Sequence, residues 1–331
     1  MSTHSPALEV APGGADGSRQ VAPVPPEPPR PVHRRRRSAR MAPMVLLIPA
    51  SLVLIVVIGY PLLQLVIMSF QEFGREQVFG KPAPFVGLDN YVRVLTDSQF
   101  WAVLGRSVAF AAVNVVVTML IGTLIALLLT RLNKGFKLLV SVGLLLAWAM
   151  PALTAVIVWG WMFDTQYGVV NYVLGMITGQ DLHGNSWLSN PLSFFLVATI
   201  IITWQSVPFV AFTIYAGLTQ VPDEVLEAAQ LDGANGPKRF FLVTFPYLRS
   251  IFLVVTVLQV IWDLRVFTQI YALQGIGGIR EQTSTLGVYI YQTSLGTGDY
   301  GAGGAIAVIM VVIMMAISLY YVRQSIKDEE L

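Results

Sequence analysis

The stretch EAAQLDGANGPKRFFLVTFP, Glu227 to Pro246, is polar, charged and helix-forming, yet it sits between two long apolar runs. Just upstream, Pro222 suits the start of a helix, because its missing N–H would be unpaired in the first turn anyway. Asp223 and Glu224 follow where the helix dipole favours negative charge. Val225, Leu226, Ala228, Ala229 and Leu231 supply an apolar side, and Glu224, Glu227, Gln230 and Asp232 a polar one. Gly233 stands where a helix C-terminal cap is expected. Pro237 can open a second short helix that leads through Phe240 and Phe241 into the next apolar run. The spacing predicts a rigid protrusion over residues 219–246, two stubby helices with a glycine corner. A helix lying on lipid headgroups would carry a basic polar face and larger apolar residues. This one is acidic, so docking to a soluble protein accounts for it better, and the small side chains of Ala228 and Ala229 would let a partner approach the helix backbone.

The rest of the chain is of another kind. Of its 331 residues 55% are hydrophobic and 12% charged, half the ~25% charge of soluble domains, which marks a membrane protein. With no cysteine there are no disulfides, thiolate metal sites or thiol nucleophiles. His4, His33 and His183 have no metal-ligand neighbour at helical spacing. Six apolar runs are each long enough to cross a hydrocarbon core of roughly 30 Å: about 42–70, 107–130, 138–163, 192–218, 247–270 and 301–322. Pro49 and Pro61 should kink or bound the first, and Pro151 and Pro208 fall inside the third and fourth. Residues 1–40, rich in Pro, Ala and Gly, read as a disordered tail. The basic run HRRRRSAR, His33 to Arg40, abuts the first span, so it is read as an orienting flank and not as a nucleic-acid site.

Lysine and arginine fix the orientation. With the tail inside, 15 of the 21 lie on one side and 6 on the other, which predicts both termini, and the protrusion, in the cytoplasm. The expected fold class is all-α, a polytopic membrane protein of six transmembrane helices with one cytoplasmic loop of unusual build, a transmembrane domain over 41–331. No convincing internal repeat is visible.

The pattern Glu227-Ala228-Ala229, then Gly233, then Val243-x-Phe245-Pro246 resembles the cytoplasmic signature loop of the membrane subunits of bacterial ABC importers. That family usually has Ile and Leu where Val243 and Phe245 stand here; both changes keep apolar character. YAGLTQVPDEVLEAA from Tyr215, IYALQG from Ile270 and YIYQTSLGTGDYGAGGAIAV from Tyr289 resemble the maltose-type carbohydrate permeases, and the likeness covers about residues 42–322. The resemblance implies a type I importer fold in the bacterial cytoplasmic membrane. It implies that the loop inserts into a cleft of an ATPase subunit, with Glu227, Ala228, Ala229, Asp232, Gly233 and Pro246 as its coupling residues. It further implies a second permease subunit, two ATPase subunits that bind the ATP and magnesium, and an extracellular solute-binding protein received on the outer loops 71–105, 164–191 and 271–299. Likeness in the fifth and sixth spans suggests chitobiose or N-acetylglucosamine as cargo; cello- and malto-oligosaccharides and glycerol phosphate stay open, though no cationic cluster at depth favours a phosphate.

Polar groups at membrane depth are costly toward lipid and therefore mark a pathway. Asn114, Trp148, Trp204, Gln205, Trp262, Asp263 and Gln269 are the candidates, a mixture of hydrogen-bonding and aromatic groups suited to a sugar. Asn114 could instead bond a neighbouring helix, and Asp263 could be half of a structural ion pair. Enzyme constellations are missing: GREQVFGKP, Gly74 to Pro82, has the wrong spacing for a phosphate loop and Pro where Ser or Thr is needed. An ion-coupled secondary transporter is the alternative function, for which Asp263 would be the one suitable acid; a channel would need a filter or charge ring that the sequence lacks.

Overall fold

The computed structural model describes residues 47–329, with side chains through Gln324. The tail expected to be disordered and the first residues of the first span, 42–46, lie outside the described residues. The chain falls into two units, Met1–Val57 and Ile58–Leu331. Helix α1, Leu47–Ser69, runs through the boundary. Its π-turn at Ile55–Gly59 directly precedes Pro61, which sits at the start of the next regular turn, so the missing N–H of proline is absorbed by a local widening of the helix.

After α1, and leaving aside the four-residue turns Arg75–Val78 and Arg280–Thr283, the helices are α2 (Asp89–Thr96), α3 (Ser98–Arg131), α4 (Lys134–Ala149), α5 (Ala152–Met162), α6 (Val169–Thr178) and α7 (Pro191–Leu218). They continue as α8 (Asp223–Leu231), α9 (Gly236–Tyr247, with a π-turn at Phe240–Thr244), α10 (Arg249–Leu264), α11 (Thr268–Ile276), α12 (Leu286–Tyr291) and α13 (Tyr300–Glu329). Among the described residues there is no strand, only an isolated bridge between Gln71 and Phe85.

The second span is longer than its uncharged core. Asp97 caps α3 by accepting from the Gln99 N–H at 2.9 Å, and the helix runs 34 residues to Arg131, about 51 Å at 1.5 Å per residue. Its first turns therefore stand clear of a 30 Å core, so part of the outer segment 71–105 is helix where a loop was expected. The last span, Tyr300–Glu329, likewise overruns its expected end.

Two spans are not single helices. The run 138–163 is broken at Met150–Pro151 and bends by 104° between α4 and α5. Proline cannot donate to the ladder and forces its predecessor out of helical geometry; Met150 takes φ −72°, ψ 126°. The run 247–270 is also divided. It enters by a 79° bend after Tyr247, crosses as the 16-residue α10, and breaks at residues 265–267 before α11. Pro208, by contrast, lies inside an unbroken α7, flanked by the buried Val207, Val210 and Ala211.

Helix α7 is the axis of the unit. On one half Phe194, Val197, Ala198 and Ile201 pack with Phe110, Val156, Ile270 and Leu273. On the other, Val210 and Ile214 pack with Ala126, Val221, Leu248, Phe252 and Val255. A third cluster joins Phe100 and Val103 of α3 to Leu286 and to Ala305 and Ile306 of α13. Tyr60–Ser69 lies close along α13, where the Gly304 backbone stands near Leu65 and Ser69.

Candidate functional site

The protrusion is built from local signals. Pro222 is the N-cap of α8 in extended geometry, with Asp223 and Glu224 in the first turn. At the other end Gly233 takes φ +79°, a left-handed conformation that costs a side-chain-bearing residue but not glycine. Its N–H donates to the Gln230 carbonyl, and Ala234 N–H donates to that of Ala229, both at 3.0 Å. The second arm starts one residue earlier than Pro237 alone predicts. Asn235 caps it, accepting from the Lys238 N–H at 3.1 Å, and Gly236-Pro237 form its first turn. Asn before Gly-Pro carried that signal in the sequence.

The inward and outward faces differ from the expected apolar side. Val221 and Leu226 turn into the cluster of Ile214, Leu248 and Phe252, Ala229 is buried, and Phe245 packs on the Phe252 ring at 4.9 Å. The knuckle is thereby fastened to α7 and α10. Ala229 is thus used inside the hairpin, whereas Glu227, Ala228 and Asp232 are exposed. Leu231, counted by its apolar character with the inward residues, is 89% exposed. Glu224, Glu227 and Leu231 fall at i, i+3 and i+7, one outward stripe of the helix. Pro246 is exposed in the last turn before the bend into α10.

The pathway candidates separate into groups. Trp262, Asp263 and Gln269 line one cavity of about 300 Å³ at the break between α10 and α11, together with Ser206, Arg265 and Thr268. Gln205 joins it through a hydrogen bond, its Oε1 accepting from Gln269 Nε2 at 3.1 Å. The same side chain donates through Nε2 to the Met150 carbonyl, also at 3.1 Å, the carbonyl bared by the break before Pro151. Irregular backbone at membrane depth is tolerated where it is buried in protein or lines a cavity, and residues 265–267 line this one. Trp262 packs edge-on against Phe209 at 4.9 Å.

Asp263 is 3% exposed, and no ion pair links it to Arg265 among the described residues. Its Oδ2 has no hydrogen-bond partner there, and neither does either amide atom of Gln259. Gln259, one helical turn before Asp263 and fully buried, was missed in the sequence; its i, i+4 spacing from an intramembrane acid was the available signal. Asn114 is fully buried and donates to the Phe110 carbonyl of its own helix at 2.8 Å, while its Oδ1 is unpaired among the described residues. Among the described residues it bonds no neighbouring helix. One turn on, Thr118 meets Thr203 across the α3–α7 contact at 3.5 Å. The other two tryptophans stand apart: Trp204 packs on Trp159 at 5.9 Å and lines a large apolar groove, and Trp148 is exposed on α4.

Apolar helices that break beside a polar cavity, with one fastened hairpin beyond them, are the build of a membrane permease. The fold is that of type I ABC importer permeases: a chain of a bacterial ABC transporter involved in the import of the acidic polysaccharide alginate superposes with a TM-score of 0.74 at 20% identity, over 88% of this chain and 96% of that one. Residues 118–327 match the family described as binding-protein-dependent transport system inner membrane component, and the chain belongs to that family. Among its relatives, the diacetylchitobiose uptake system permease protein DasB of Streptomyces coelicolor is 42% identical over 290 residues, 88% of each chain. The sulfoquinovosyl glycerol transport system permease protein SmoG of Agrobacterium fabrum is 34% identical over 85% of this chain and 89% of its own.

Proposed function

We propose that this chain is one of two permease subunits in an ATP-driven importer of a di- or oligosaccharide or amino sugar, with a chitobiose-type sugar as the preferred cargo. It takes the sugar from an extracellular solute-binding protein seated on segments 71–105, 164–191 and 271–299 and releases it to the cytoplasm by alternating access. Both termini face the cytoplasm. ATP and magnesium are bound by two partner ATPases, and this chain contributes no catalytic group. The observation that carries the reading is the hairpin, whose underside is locked into the α7–α10 core while Glu227, Ala228 and Leu231 are left outward, so that force applied to it is passed to the helices. The identity with a permease named for diacetylchitobiose uptake supports the cargo.

The polar cavity supports the second permease subunit. At about 300 Å³ it is at the small end of ligand pockets, roughly 300–1,000 Å³, and a buried polar atom left without a partner costs about 1–3 kcal/mol. Asp263, which lines this cavity and whose Oδ2 is unpaired among the described residues, is therefore positioned to be completed by a sister subunit or by sugar hydroxyls.

Because the chain has no cysteine, a single Asp232→Cys substitution reports on orientation. In closed cells an impermeant maleimide should leave it unlabelled, and after access to the cytoplasmic face it should react fully. Co-isolation with an ATPase and uptake dependent on ATP complete the test; labelling from outside, or uptake by this chain alone, refutes the reading. Within the cavity, Asp263→Asn in the assembled complex is expected to lower sugar transport about 10- to 100-fold, the loss of a hydrogen bond to a charged group, with assembly intact. Unchanged rate and affinity would remove Asp263 from the pathway.

A further inference from the structure

The transport reading leaves one cavity unused. About 650 Å³ of space lies between the hairpin and the ends of α3 and α7. Three cations line it: Arg131, the last residue of α3, Lys137 in the first turn of α4, and Arg239 in α9. One carboxylate, Asp223, opposes them. Lys137 is held in place, its Nζ donating to the Tyr215 hydroxyl at 2.9 Å and lying 5.2 Å from that ring's centroid. Among the described residues neither Arg131 nor Arg239 belongs to an ion pair. Away from the cations the wall turns apolar. Leu120, Leu124 and Leu127 recur at i, i+4 and i+7 along one face of α3, and Phe240 and Phe241 line the same space. Leu120, Leu124 and Phe241 are each more than half exposed.

We propose that this groove binds one anionic phospholipid of the cytoplasmic leaflet, with its phosphate among Arg131, Lys137 and Arg239 and an acyl chain along Leu120, Leu124 and Leu127. The leaflet follows from the orientation proposed above. Charge complementarity favours this occupant: three cations against one acid at a membrane–water boundary attract an anionic headgroup, and arginine pairs phosphate oxygens in bidentate fashion. A soluble anion would satisfy the cations but leave the leucine stripe bare. A water-soluble protein cannot follow that stripe to the depth of the hydrocarbon. Since Asp223, Leu226 and Arg239 of the hairpin form one wall, the lipid braces the coupling hairpin against α3.

The test uses the full chain, with whatever partners co-isolate, in nanodiscs of phosphatidylcholine containing phosphatidylglycerol, and counts retained lipid after release by native mass spectrometry. Wild type is expected to retain phosphatidylglycerol selectively. Arg131→Gln and Arg239→Gln should each weaken retention about fivefold, and the pair about 25-fold, the usual contribution of a surface cation to binding an anionic leaflet. Lys134→Gln removes a cation of the same turn of α4 as Lys137 that does not line the groove and should change nothing. Equal loss in Lys134→Gln, no preference between the two lipids, or displacement of the bound lipid by inorganic phosphate alone would each overturn the proposal. If the double variant does not elute as folded protein, Arg239→Gln alone decides. Retention is read whether or not an ATPase co-isolates, so failure here is distinct from failure of the transport reading.

Discussion

Glu227→Lys in the assembled transporter is expected to cut ATP-dependent uptake by about 10- to 100-fold while leaving the yield and fold of the permease unchanged. Glu227 is exposed on the outward stripe of α8, and no hydrogen bond or ion pair within the described residues uses its carboxylate. Its loss therefore costs the isolated chain little, since exposed substitutions of this kind stay within about 0.5 kcal/mol. Against a basic group in an ATPase cleft, the same carboxylate makes a charge-assisted bond contributing about 1.5–3 kcal/mol, and lysine adds repulsion. Uptake in proteoliposomes, measured together with ATPase stimulation by the loaded binding protein, separates the cases. Normal uptake and normal stimulation would show that the hairpin does not transmit force through this residue.

Gly122→Leu is expected to act by the opposite route, through the fold. A Cβ at Gly122 would stand 2.5 Å from Val210 Cγ1 and 2.7 Å from its Cβ, and Val210 is fully buried in α7. A β-branched side chain cannot swing away, so α3 and α7 must move apart. Leucine gains about 1 kcal/mol of helix propensity over glycine, but overpacking of a close helix pair costs about 1–3 kcal/mol and more where backbone must shift; here backbone must shift, and the loss wins. A fall in melting temperature of roughly 5–10 °C follows for a net loss near 3 kcal/mol. Gly105→Leu on the same helix is the control, because nothing lies within 4 Å of its Cβ position. Equal stability of the two variants would show that the α3–α7 contact is looser than described.

The hairpin was legible because its signals are local. Pro222, the acidic first turn and Gly233 each act on the backbone within a few residues of themselves, and the structure uses all three as expected. What lay beyond sequence was which side chains of that helix face its own core. Ala229 and Leu231 stand two positions apart, yet one is buried and the other 89% exposed. Two prolines inside apolar runs looked alike in sequence. At Pro151 the helix ends, with Gln205 available to take up the freed carbonyl of Met150; at Pro208 it continues, held between buried neighbours. Tertiary partners made that choice. The cavity was half visible: Trp262, Asp263 and Gln269 meet there, while Ser206 was passed over because a hydroxyl in an apolar helix carries no local signal of where it points. Trp148 and Trp204 share the aromatic character of Trp262 but stand on other surfaces.

Gln205 spends both ends of its amide at once, one toward the severed strut at Met150 and one toward Gln269. Any swing that separates two of those three elements must break one of these part-buried hydrogen bonds, a net cost of about 0.5–1.5 kcal/mol. The join is thus a light catch across three elements, firm enough to bias how they sit and weak enough to be undone without unwinding any helix it ties.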